Sequence, residues 1–177
     1  LESTNDAIDE GDFSGLSMEN FEFDIDDAIT ILKDADETVK RREHAIWILE
    51  QDGSDKAIEA LVAALTYDEF GVRWVAGTAL ARLGDRAIPY VLEEIMKHFS
   101  ILLRDSVYHV MHYNHGLWTQ WHSGELMEAL RGLVPDVTAP KAAHEMLIQF
   151  ERSRDKPRVK PEDGKQDRAA EQVSSGV

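Results

Sequence analysis

Sliding the sequence along itself by 31 places superposes Arg42 on Arg73 and Arg104, and Ala45 on Ala76 and Val107. The same shift aligns Ile48, Ala79 and Val110, then Leu49, Leu80 and Met111, and sets Gly53 on Gly84. A unit this short cannot bury an apolar face alone, so its copies must stack into one continuous core. Within a copy the apolar positions recur at i, i+3 and i+4, as in Ala76, Ala79, Leu80 and Leu83. That is the period of one buried helical face and not of a strand.

Each of the first two such runs ends in a break and a second amphipathic run. Gly53-Ser54-Asp55-Lys56 leads into Ala57, Ile58, Leu61, Val62 and Leu65, and Gly84-Asp85-Arg86 leads into Ala87, Ile88, Val91, Leu92, Ile95 and Met96. The glycines sit where a helix C-terminus favours a left-handed residue, and Asp55 and Asp85 are placed to cap the next helix. Pro89 falls in a first turn, where its missing N–H has no partner to lose. The pattern predicts helices at about 25–34, 37–51, 55–66, 69–83, 86–99, 101–113, 123–133 and 139–152. The expected fold is all-α, an α-α superhelix of about four helix pairs.

The run Val72-Arg73-Trp74-Val75-Ala76-Gly77-Thr78-Ala79-Leu80-Ala81-Arg82-Leu83-Gly84-Asp85 resembles the second helix and exit turn of HEAT repeats, in particular the HEAT-like repeats of the phycobilin-lyase type. Ala87-Ile88-Pro89 resembles the start of the following first helix, and the likeness covers residues 24–114. The resemblance implies a HEAT-like solenoid with an acidic residue in each turn, bonded to the arginine of the next helix. Asp68 lies five places before Arg73, and Glu37 five before Arg42, so both fit that ladder; Phe99 holds the same place before Arg104. These residues carry a structural role in the stack.

The formal charge of −15 is concentrated at one end. Residues 1–27 hold ten acids and no Lys or Arg, whereas residues 28–152 carry 13 basic against 19 acidic groups. The chain therefore divides into an acidic, largely disordered arm over 1–23, a helical repeat domain over 24–152, and a disordered polar tail over 153–177. In the arm Phe13, Leu16, Met18, Phe21 and Phe23 alternate with acids, the composition of segments that order on docking. The sign of the charge opposes nucleic-acid binding, which rests on neutralising phosphates. With no cysteine there is no disulfide and no thiolate metal site or nucleophile. No stretch reaches the roughly 20 apolar residues of a membrane span, and the start lacks the pattern of a secretory signal. A cytoplasmic protein, monomeric on its own, is expected, and a first residue Leu1 suits an excised or processed chain.

The 31-residue register also names side chains that share the wall formed by the second helices. Its outward rows are Glu43, Trp74 and Asp105; Trp47, Thr78 and His109; and Gln51, Arg82 and Tyr113. Large aromatic side chains at outward positions are typical anchors of protein interfaces. Trp118 and Trp121 add a second aromatic group in the longer connection over 108–122, which interrupts the repeat. The reading is a non-catalytic scaffold binding another protein through Trp47, Trp74, Thr78, Arg82, His109, Tyr113, Trp118 and Trp121, with no cofactor. The alternative implied by the resemblance is a phycobilin lyase-like enzyme, or a lyase subunit, holding a tetrapyrrole.

Other chemistries find little support. His109, His112, His115 and His122 with Glu125 follow no known zinc spacing, so no metal is assigned. The HEAT-type deoxyhypusine hydroxylase uses repeated His-Glu dyads, and His144-Glu145 alone has that order here. No Gly-rich phosphate loop, nucleophile elbow or paired catalytic carboxylates are visible.

Overall fold

A computed structural model describes residues 24–155, and every regular element among them is helical. The order is α1 (Ile25–Lys33), α2 (Val39–Asp52), α3 (Asp55–Ala63), α4 (Phe70–Leu83), α5 (Ile88–Lys97), α6 (Ile101–His112), α7 (Leu117–His122), α8 (Gly124–Arg131) and α9 (Pro135–Asp155). Short 3-10 turns at Ala64–Thr66 and Gly84–Arg86 tighten the exits of α3 and α4. The expected arm over 1–23 and the tail from residue 156 onward lie outside the described residues. Ser153, Arg154 and Asp155, expected in the tail, instead continue α9.

Local chemistry sets the boundaries. Thr38, Ser54 and Ser100 each accept a hydrogen bond on the side-chain oxygen from the backbone N–H three residues on, satisfying one of the orphan donors at the starts of α2, α3 and α6. Ser54, and not Asp55, is therefore the cap of α3; Asp55 is its first helical residue. Gly53 ends α2 with φ 58°, a conformation a side chain would strain.

The helices form two layers. Helices α1, α3, α5 and α9 pack side by side in one, and α2, α4, α6 and α8 in the other. The first three pairs enter as α1/α2, α3/α4 and α5/α6, the first-layer helix preceding the second. The fourth pair is reversed: α8 follows α6 in the second layer, and α9 returns beside α5 in the first. The segment expected to be a loop over 114–122 holds α7, and α9 begins at Pro135 rather than 139. Pro140 lies inside α9 and removes the N–H that would have met the carbonyl of Asp136. Asp136 is exposed in the first turn of the helix.

The core runs between the layers. Leu32, Ile46, Leu49, Ile58, Leu61, Leu80, Ile88, Leu92, Ile95 and Leu103 are fully buried, as the helical spacing of the sequence requires. Each contributes roughly 1.5–3 kcal/mol by leaving water. The repeat stride is visible in bonds between neighbouring copies: Arg82 to Glu50 at 3.3 Å, Arg86 Nη2 to the Gly53 carbonyl at 2.5 Å, and Thr78 to His109 at 3.1 Å. These residues lie 31 to 33 places apart, so the register read from sequence is the spatial register of the stack.

Candidate functional site

The outward side of α2, α4 and α6 carries the aromatic side chains that the register sets in rows. Trp47 on α2 is 54% exposed and Trp74 on α4 is 46% exposed. Rings continue from Phe70 to Trp74 with centroids 5.7 Å apart, from Trp74 to His109 at 3.9 Å, and from His109 to Tyr113 at 4.9 Å. His112 meets Tyr113 edge-on at 4.7 Å and stacks on Tyr108 at 5.9 Å. The result is an unbroken aromatic strip from α4 onto α6. Beside it on α2, Trp47 stacks on His44 at 5.9 Å.

His109 departs from the expected outward position. It is buried, 9% exposed, beneath Trp74 and beside Gly77, because a glycine at that point lets the imidazole lie against the α4 backbone. The Thr78 hydroxyl gives its hydrogen to the Trp74 carbonyl at 2.9 Å, so its oxygen is left to accept from His109 Nε2. Burial lowers the His109 pKa, and the nearby His112 lowers it further. His109 thus supports the strip from underneath as a neutral ring, while Trp74 and Tyr113 present the surface. Arg82 is exposed on the same side and pairs with Glu50 of the preceding repeat.

Trp118 and Trp121 are not part of this strip. Trp118 is half-buried, stacked on His122 at 4.3 Å and edge-on to Phe150 of α9 at 4.9 Å, where it helps close the fourth pair. Trp121 is 84% exposed on α7 and borders a shallow cleft of about 210 Å³ with Leu126, Ala142 and Met146. Helix α7 is held by Asp85, whose carboxylate accepts from the backbone N–H groups of Trp118 at 3.3 Å and Thr119 at 3.0 Å and from the Thr119 hydroxyl at 2.7 Å. Asp85 was expected to cap α5 and instead caps α7, more than thirty residues along the chain. Among the described residues no three His, Asp or Glu side chains gather as metal ligands would, and no helix is long and apolar enough to cross a membrane.

The arginine ladder takes a different form from the one expected. Arg42 is buried; its Nε donates to the Leu32 carbonyl at 3.1 Å, its Nη1 lies 3.3 Å from Glu69 Oε2, and its guanidinium covers the Tyr67 ring at 5.0 Å. Arg73 donates to the carbonyls of Tyr67 and Asp68, at 2.5 and 2.7 Å. The bonds reach main-chain oxygens at helix ends and turns, which lack partners of their own, and not the Asp68 carboxylate. Glu37 pairs with Arg41 at 2.6 Å and not with Arg42. Arg104 turns to its neighbour Asp105 at 2.7 Å, so the series stops at two members.

The paired layers, the 31-residue register and the arginines directed at turn carbonyls coincide with one family comparison: residues 25–109 match the family model for HEAT repeats. Residues 25–109 are HEAT repeats. Neither a curated protein nor a solved structure gives a match. The HEAT segment contains the whole of α1 to α5 and most of α6, and so Trp47 and the part of the strip from Phe70 through Trp74 to His109. Tyr113 and α7 to α9 lie beyond it. Phe70, Tyr108 and His112 were missed as members of the strip. Phe70 was within reach, since it stands four places before Trp74, on the same helical face.

Proposed function

We propose that this HEAT-repeat stack is a non-catalytic scaffold that binds another protein across the outward side of α2, α4 and α6. HEAT repeats commonly serve as interaction surfaces. The single observation that carries the proposal is the exposure of Trp47, Trp74, Phe70 and Tyr113 on one side of three adjacent helices. Large apolar rings held in fixed positions supply contact area at a low cost in side-chain entropy, which is how interface anchors work. The His109 ring below the strip holds the Trp74 indole ready for a partner before it arrives.

Affinity capture with the full chain tests the reading. The double variant Trp47→Ala/Trp74→Ala should keep its helical circular dichroism and lose the proteins held by the wild type. The same protein set on both would contradict the assignment of this surface. A visible absorbance band on the purified protein, or transfer of a bilin to an acceptor, would favour the tetrapyrrole reading in its place.

A further inference from the structure

We infer that the outward surface where α2 meets α4 receives a basic side chain, arginine or lysine, presented by a peptide segment of the partner. This deepens the scaffold reading and rests on it. Helix α4 lies between α2 and α6, and Trp74 gives one side of its indole to His109 on α6. Its other ring neighbour is Phe70 of the same helix, 5.7 Å away, and Trp74 stays 46% exposed. Trp47 is exposed one turn beyond Glu43 on α2, the helix packed beside α4.

Glu43 supplies the counter-charge. Position 71 is a glycine, and the Glu43 carboxylate lies over it: a Cβ built there would sit 3.5 Å from Oε1. Two other acids on this side of the stack are already paired, Glu50 with Arg82 and Asp105 with Arg104. No ion pair among the described residues engages Glu43. Two exposed indoles on adjacent helices, with a carboxylate outside the ion pairs of the described residues, attract a cation through the ring faces and through Glu43 together. The formal charge of −15 steers basic segments toward the molecule and repels acidic ones.

The test is selection of a phage-displayed library of random dodecapeptides on the full chain, in parallel with Trp47→Ala/Trp74→Ala and Glu43→Gln. Peptides kept by the wild type and lost by the tryptophan variant should carry an arginine or lysine flanked by apolar residues. For one such peptide made synthetically, exchanging that base for glutamine should weaken binding about fivefold. Glu43→Gln should weaken it by a similar factor, and the two losses should not multiply. Glu43→Gln is nearly isosteric, so the comparison stands even where the tryptophan variant folds poorly. Tryptophan-dependent peptides indifferent both to their bases and to Glu43 would overturn this inference and leave the scaffold reading in place. A library yielding no tryptophan-dependent peptide would overturn it as well, and only unchanged capture in the preceding experiment would remove the scaffold reading too.

Discussion

The imidazole of His109 occupies the space beside Gly77 that any other residue would need: a Cβ built on Gly77 would lie 2.8 Å from His109 Cδ2. Contact this close joins α4 to α6 and sets the height at which Trp74 rests on the ring below it.

Gly77→Val should destabilise the protein by about 2 kcal/mol, since the branched side chain must push the imidazole out of a packed site. Removing the ring should relieve part of that loss, so Gly77→Val/His109→Ala should be more stable than the sum of the single changes predicts. Urea denaturation of the four proteins measures it. Strict additivity would mean that the two residues do not share the space.

His109 also predicts a pH dependence. Its pKa is held below the ordinary 6.5 by burial and then by His112. The unfolded chain therefore takes up the proton first as pH falls. The stability His109 contributes is complete above about 6.5 and is lost as pH drops through its folded-state value. Between pH 7.5 and 5 the wild type should lose more stability than His109→Gln, which removes this titration and keeps the others. Equal losses would show an unperturbed histidine.

Asp85→Ala should loosen α7 without unfolding the stack. Three hydrogen bonds to one carboxylate are removed, and loss of a helix cap costs about 1 kcal/mol, or about 2 at the upper end. Hydrogen exchange should quicken over 117–122 and stay slow in α2, α4 and α6. Unchanged exchange in α7 would mean that the cap is dispensable.

The equivalently spaced arginines should differ in weight. Arg42→Met leaves the Leu32 carbonyl and Glu69 without their buried partner, for a loss of about 3 kcal/mol. Arg104→Met breaks only a surface pair with Asp105 and should cost about 0.5 kcal/mol or less. Comparable losses in thermal or urea denaturation would contradict the geometry of the series.

The difference between these arginines marks how far the sequence could be read. A shift of 31 residues is a property of the chain, so the helices, their pairing and the rows holding Trp47 and Trp74 followed from it. The depth of a side chain below its surface depends on the residue across from it. His109 shares its row with the exposed Trp47, and it is buried because Gly77 on another helix makes room. Such a pairing of helices has no local signature, although a glycine within a helix is a general sign of close approach. The same holds for Asp85, whose partners come from a helix more than thirty residues later. Reversal of the fourth pair lay beyond reach for a related reason: α8 and α9 are amphipathic in either order, and the contacts that choose between them are tertiary.

Hydroxyl-radical footprinting of the captured complex tests the central claim most directly, because oxidation reports which side chains a partner covers. The account predicts that Trp47, Phe70, Trp74 and Tyr113 are oxidised in the free protein and protected in the complex, while Trp121 stays reactive in both. Protection confined to the first layer, with Trp47 and Trp74 as reactive as before, would contradict it.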